Sequence, residues 1–169
     1  MKVCVFAGTF DPFSNGHKDI VKRCLEMFDK VIVAIGDNKG KTPLFDLVDR
    51  MSFVKKVFAD EPRVEVGCFK GLLVDFMKKN RVRFNVRGIR DVEDYKYETL
   101  MVNYNEDLYP EIITVYLPTD KKFNYVSSTA IRNLIGLDAD FSQYVPSCIY
   151  QDVKDAYAKK GKQKKSVQY

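Results

Sequence analysis

The chain has no apolar run near the ~18 residues that a membrane-spanning helix requires, which excludes that class of membrane protein. Its first residues, Met1-Lys2-Val3-Cys4-Val5-Phe6, carry neither the apolar core nor the small-residue cleavage site of a secretory signal, so a cytoplasmic location is expected. Cysteine is scarce and scattered. Cys4, Cys24, Cys68 and Cys148 never approach CxxC spacing, which excludes the usual metal and dithiol motifs and a disulfide-stapled scaffold. Cys4, Cys24 and Cys68 sit among apolar residues and read as small buried hydrophobes. Histidine is scarcer still: His17 stands alone. No repeat, linker or low-complexity segment interrupts the chain before its C-terminal tail.

What is present suits a folded domain. A length of 169 residues fits one domain with a sizeable core, and 46% hydrophobic with 30% charged residues excludes a disordered or collagen-like chain. The net charge of +5 is local. Residues 158–169 hold Lys159, Lys160, Lys162, Lys164 and Lys165 and no acid, and without these five lysines bases and acids balance. The expected organisation is a single domain over 1–157 and a basic, flexible tail over 158–169. A neutral body leaves nucleic-acid binding resting on the tail alone.

Apolar periodicity alternates between two kinds of segment. Val3–Ala7, Val31–Ile35, Val64–Phe69, Arg83–Val86 and Ile112–Leu117 read as strands. Between them, Ile20, Val21, Cys24, Leu25 and Phe28 share one helical face, as do Leu47, Met51, Val54, Val57 and Phe58. Helices are also expected over Leu72–Lys79, from Asp91 to about Leu108, from Ser127 and after Pro146. Strands that are continuous apolar runs, alternating with helices, indicate a doubly wound, parallel, five-stranded α/β sheet covered on both faces. Ligands of such sheets sit at the carboxyl ends of the strands, so the strand-to-helix loops carry the candidate residues.

The first such loop is Gly8-Thr9-Phe10-Asp11-Pro12-Phe13-Ser14-Asn15-Gly16-His17, and it places the lone histidine at the start of a helix. Helix-start amides and the helix dipole favour an anion there, and histidine can donate to phosphate oxygens from Nε2. A histidine that merely ends a turn is the alternative. Gly40-Lys41-Thr42 looks like the end of a phosphate-binding G-x-x-x-x-G-K-[ST] loop, but Ile35 stands where the first glycine belongs, so that motif is rejected. Lys41 is left as either a solvated loop lysine or a phosphate ligand at a strand end. Gly88 makes no G-x-G-x-x-G fingerprint. Arg87 and Arg90, past the expected end of the fourth strand, suit multidentate phosphate binding, whereas Lys78, Lys79, Arg81 and Arg83 read as surface charges. Ser127, Ser128 and Thr129 offer hydroxyls and free amides at a helix start, or simple capping.

These stretches resemble the nucleotidyltransferase superfamily with a (T/H)xGH motif, and within it the bacterial phosphopantetheine adenylyltransferase family. The resemblance runs through G-T-F-D-P…G-H at residues 8–17, Gly40-Lys41-Thr42-Pro43, and Val86-Arg87-Gly88-Ile89-Arg90 with Asp94-Tyr95 and Tyr97-Glu98. It ends in Tyr125-Val126-Ser127-Ser128-Thr129 with Ile131-Arg132, covering roughly residues 2–157. Ser14 stands where that family usually has threonine, Ala7 where proline or glycine is common, and Phe123-Asn124 where tryptophan often occurs. None of these departures removes a charged or catalytic group.

The resemblance implies a Rossmann-like nucleotidyltransferase fold and transfer of an adenylyl group from ATP to 4′-phosphopantetheine, giving dephospho-coenzyme A and pyrophosphate. In-line attack without a covalent intermediate follows from it. His17 is then the transition-state stabiliser, and Thr9, Lys41, Leu73 and Arg87 bind the acceptor. Thr9, Phe10, His17, Gly88, Ile89, Arg90, Glu98 and the run Phe123, Asn124, Tyr125, Val126, Ser127, Ser128, Thr129 bind ATP. Mg2+ accompanies ATP with no dedicated protein ligands, coenzyme A or its dephospho form acts as product or inhibitor, and the assembly is a homohexamer. A sibling enzyme for nicotinamide mononucleotide or glycerol 3-phosphate, and a nucleotide- or nucleic-acid-binding module, are the rival readings.

Overall fold

The structure, a computed structural model, describes residues 1–37, 40 and 42–166, with side chains described to Lys160. Five strands form one parallel sheet in the order β3-β2-β1-β4-β5: β1 Val3–Gly8, β2 Lys30–Gly36, β3 Val64–Phe69, β4 Phe84–Ile89 and β5 Ile113–Pro118. Six helices follow the strands: α1 Asn15–Met27, α2 Leu47–Val57, α3 Leu73–Lys79, α4 Val92–Leu108, α5 Ser128–Gly136 and α6 Ser147–Ser166. The chain leaves β1 towards β2 and β3, then returns past β1 to lay down β4. The loops after β1 and β4 therefore part company, opening a crevice at the carboxyl ends of these two neighbours.

Alternate residues of a strand face opposite sides of the sheet, and both sides are covered. Cys4, Phe6, Val31, Val33, Ile35 and Val86 pack with Ile20, Val21, Cys24, Phe53, Val54, Ile131 and Ile149 beneath α1, α2, α5 and α6. Val5, Ala7, Ile32 and Ala34 pack with Val74, Met77, Val82 and Ile112 on the side of α3. Each fully buried aliphatic side chain contributes about 1.5–3 kcal/mol relative to exposure, so the sheet interior is the main source of stability.

Two expectations need correction. Arg87 does not lie beyond β4; pairing of Gly88 with Leu117 and Ile89 with Pro118 extends the strand, so Arg87 is a strand residue and Arg90 the first past the end. Cys68 is exposed, because β3 is an edge strand with β2 as its one strand neighbour. Helix α6 runs from Ser147 to Ser166. No helix among the described residues is long and apolar enough to cross a membrane.

Candidate active site

The crevice between the ends of β1 and β4 is a cleft of about 580 Å³. Its floor is the loop from Gly8 to Gly16. Phe10 there adopts a φ of +50°, a left-handed conformation that costs a non-glycine residue about 1 kcal/mol or more, and its ring is buried against Phe6 and Phe13. A Cβ on Gly8 would stand 2.9 Å from that ring, so only glycine fits beneath it.

Ser14 caps α1 and sets the chemistry of His17. The Ser14 hydroxyl oxygen accepts from the His17 amide at 3.3 Å, while the Ser14 amide donates to His17 Nδ1 at 3.0 Å. An Nδ1 that accepts from a backbone N–H carries no proton, so the neutral ring holds its proton on Nε2. The ring lies 5.0 Å edge-on from Phe10 and 5.3 Å from Phe13. Burial first, then the charges of Arg90 and Arg87, lower its pKa to about 3. At neutral pH His17 is therefore an uncharged donor in the cleft wall.

Two buried charges tie the surrounding loops together. Asp11, 3% exposed, accepts from the amides of Leu44 at 2.7 Å and Phe45 at 2.8 Å. Arg132 approaches the same carboxylate at 3.6 Å and donates to the Asp11 carbonyl at 2.8 Å. Arg50, 1% exposed, donates to the carbonyls of Thr9, Gly36, Phe45 and Asp46. Together they lock the first loop to the segment after β2 and to the start of α5.

The arginines of the fourth strand meet carboxylates from α4. Arg87 donates from Nε and Nη2 to the two oxygens of Glu98, each at 2.6 Å, and from Nη1 to the Ala7 carbonyl at 2.6 Å. Arg90 donates to Asp94 from Nε at 2.7 Å and Nη2 at 2.9 Å. The hydrogen bond from Arg90 holds the Asp94 carboxyl below the usual range. At the start of α5, Ser127 caps the helix through the Ala130 amide. The Ser128 hydroxyl donates to the Pro12 carbonyl at 2.9 Å, and the Thr129 hydroxyl accepts from Arg132 at 3.0 Å.

Of the residues expected from the sequence, Thr9, Phe10, His17, Arg87, Gly88, Arg90, Glu98, Val126, Ser127, Ser128 and Thr129 line this one cleft. Leu73, Ile89, Phe123, Asn124 and Tyr125 do not. Leu73 opens α3 against the second core, Ile89 pairs with Pro118, Phe123 packs on the first core, and Tyr125 meets Tyr144 edge-on. Lys41 lies outside the described residues. Asp11, Asp94, Thr119 and Arg132 line the cleft without having been expected there, and Arg50 works behind it. A signal for Arg50 existed: it lies three residues after Leu47 and four before Val54, a charge on the apolar face of α2.

A doubly wound sheet with arginines, helix starts and a neutral histidine converging at its switch point defines a phosphate-handling α/β protein of the nucleotide-binding kind. Residues 5–134 match the family model described as cytidylyltransferase-like. The phosphopantetheine adenylyltransferase of Alkaliphilus metalliredigens is 37% identical over 151 residues, 89% of this chain and 96% of that protein. That of Francisella tularensis subsp. novicida is 40% identical over 159 residues, 94% of this chain and 98% of that one. The chain belongs to the cytidylyltransferase-like family and, within it, to the phosphopantetheine adenylyltransferases. Among solved structures, a bifunctional NMN adenylyltransferase/ADP ribose pyrophosphatase from Francisella tularensis superposes with a TM-score of 0.69 at 19% identity over 95% of this chain. This chain spans 53% of that protein's length, and the likeness is one of fold.

Proposed function

We propose that this chain transfers the adenylyl group of ATP to 4′-phosphopantetheine, forming dephospho-coenzyme A and releasing pyrophosphate. The observation that carries the choice of acceptor is the match to phosphopantetheine adenylyltransferases over nearly the whole of both chains, 94% and 98% in the Francisella case. The geometry supports the chemistry. An oxygen of the acceptor phosphate attacks the α-phosphorus, the bond to the β-phosphate bridging oxygen breaks, and pyrophosphate leaves with that electron pair. No side chain needs to form a covalent bond. Catalysis is positioning plus stabilisation of charge gathering on phosphoryl oxygens.

His17, neutral with Nε2–H as its donor, meets the α-phosphoryl oxygen as negative charge grows there, and needs no proton transfer to do so. Arg87 takes the acceptor's phosphate. Arg90 and the start of α5, Ser127 to Thr129, take the β- and γ-phosphates, with Glu98 and the approach from Phe123 to Val126 near the nucleotide. Thr9 and Lys41 serve the phosphates at the point of transfer, and Leu73 borders the pantetheine arm. Gly88 keeps the strand end open, since a Cβ there would meet Ile20 at 3.1 Å. A magnesium ion would come with ATP, held by the nucleotide's phosphates and water as this ion prefers. When bound there it neutralises phosphate charge. The proposed assembly is a homohexamer, and the apolar face that α4 leaves open, with Tyr97, Leu100, Met101 and Tyr104 each at least 42% exposed, offers a surface for self-association.

The test is pyrophosphate release from ATP with 4′-phosphopantetheine, run beside nicotinamide mononucleotide and glycerol 3-phosphate. Release with the first alone is expected. No release with it, or faster release with either of the others, overturns the reading.

A further inference from the structure

We infer that Glu98 is a specificity-determining residue: it occupies the fork of Arg87 that grips the acceptor's phosphate, and any acceptor must displace it. The inference rests on the proposed placing of that phosphate at Arg87. The two-pronged Nε/Nη2 edge of Arg87 is the edge that binds a tetrahedral anion in two places, and Glu98 fills both prongs at 2.6 Å. The third bond of Arg87, from Nη1 to the Ala7 carbonyl at the end of β1, stays clear of that edge. It holds the guanidinium in place while one anion replaces another. Both side chains are sheltered, Arg87 at 23% and Glu98 at 14% exposure, so water screens their attraction only partly.

The neighbouring pair is built differently. Asp94 lies four residues after Arg90 and also accepts the Arg90 amide at 3.1 Å, so the local chain holds it in place. Glu98 lies eleven residues from Arg87, and Arg87 is its one hydrogen-bond partner among the described residues. The charge balance points the same way. The described lining of the cleft carries three arginines (Arg87, Arg90, Arg132) and three acids (Asp11, Asp94, Glu98), with His17 neutral. The described lining brings no surplus positive charge to two phosphate-bearing ligands, so their binding gains from losing an acid, and Glu98 is the one of the three that a single residue's side chain holds among the described residues. A phosphate monoester carries about −1.5 to −2 charge at pH 7 and outcompetes a carboxylate for the fork. A singly charged group gains little by the exchange, so Glu98 sets a threshold that keeps weaker anions out.

Calorimetric titration of the full chain decides it. Wild type, Glu98→Gln, Glu98→Ala and Arg87→Ala are each titrated with 4′-phosphopantetheine and with the 4′-sulfate ester of pantetheine, a permanent monoanion. Both Glu98 variants are expected to bind phosphopantetheine about three- to tenfold more tightly, the scale of removing one partly sheltered competing charge. The sulfate ester, below detection with wild type, becomes measurable. If Arg87→Ala weakens phosphopantetheine while both Glu98 variants bind it as wild type does or more weakly, the placing of the phosphate stands and the inference is overturned; Glu98 is then a buttress for Arg87. If Arg87→Ala leaves binding unchanged, the phosphate is elsewhere and the inference falls with that placing.

Discussion

Replacing Arg50 removes the most deeply buried charge among the described residues. Its guanidinium donates to Thr9 at 2.9 Å, Gly36 at 3.0 Å, Phe45 at 3.0 Å and Asp46 at 3.3 Å, and approaches the Asp37 carboxylate at 3.8 Å. Arg50→Ala takes this donor from the carbonyls of Thr9, Gly36 and Phe45, while the Asp46 carbonyl keeps the amide of residue 50, and it leaves a void of several methylenes. A hydrogen bond to a charged group contributes about 1.5–3 kcal/mol, but the losses overlap and water entering the void recovers part of them. Breaking a buried charged cluster from one side costs about 3–5 kcal/mol, a large share of the ~5–15 kcal/mol that holds a domain together. Arg50→Met restores the volume without the donors, and separates the packing loss from the polar one. Arg50→Lys keeps the charge but presents one ammonium, which cannot span carbonyls of four residues at once. Urea unfolding of the three variants is expected to give a loss of about 3–5 kcal/mol for alanine, slightly less for methionine and about half for lysine. The lysine variant, folded at room temperature, should show a lowered kcat with a smaller change in KM, because Thr9 and the segment after Gly36 lose their common anchor. If the alanine and methionine variants both unfold within about 1 kcal/mol of wild type, the clamp does not stabilise the loops and the reasoning is wrong.

His17→Ala should lower kcat by at least about 10²-fold, the scale of losing one transition-state donor, with much less effect on ATP affinity in titration. Arg90→Ala should mainly weaken ATP and Arg87→Ala mainly raise the KM for phosphopantetheine, each by about 1.5–3 kcal/mol; equal loss of one ligand by both variants would make the arginines a single clamp. Gly8→Ala should cost about 1–3 kcal/mol in a thermal or urea melt and reduce kcat, because the new methyl drives the Phe10 ring into its neighbours around His17. Because the folded His17 titrates at about 3 and the unfolded side chain at 6.5, the unfolded state binds more protons between those values. The stability due to His17 is therefore complete above pH 6.5 and is lost as pH falls, at up to about 1.4 kcal/mol per unit; urea midpoints from pH 7 to 4 should fall more steeply for wild type than for His17→Asn.

Much of the fold was legible because buried parallel strands write themselves as apolar runs. Val64–Phe69 was read at its full extent, and Ser127 was recognised as the cap of α5. The end of β4 was not, because Arg87-Gly88-Ile89 looks like a loop and becomes strand only through its pairing with Leu117 and Pro118. Cys68 misled for a similar reason: apolar neighbours say nothing about whether a strand lies at the sheet edge. In the site, a loop of contiguous residues such as Gly8–His17 announces itself. The pairing of Arg87 with Glu98 spans 11 positions and depends on how α4 lies over β4, which no local pattern encodes.

The cleft's charge balance follows from the same physics. An unpaired guanidinium in a half-buried site is costly, and Arg87 is matched by Glu98 and Arg90 by Asp94. On the proposed placing, phosphate binding at Arg87 is an exchange of one anion for another, and its strength reflects the difference between them. Only charge that develops during the reaction escapes this cancellation, and the group aimed at such charge must bring no counter-ion of its own. His17 meets that condition. Its position against Phe10 and Phe13 and beside Arg87 and Arg90 keeps it neutral, and the Ser14 amide on Nδ1 leaves the proton on Nε2. A lysine in its place would itself need an acid, and would already hold ground-state phosphates firmly. A neutral donor binds a phosphoryl oxygen weakly at first and more strongly as charge accumulates, which is the differential binding that lowers a barrier.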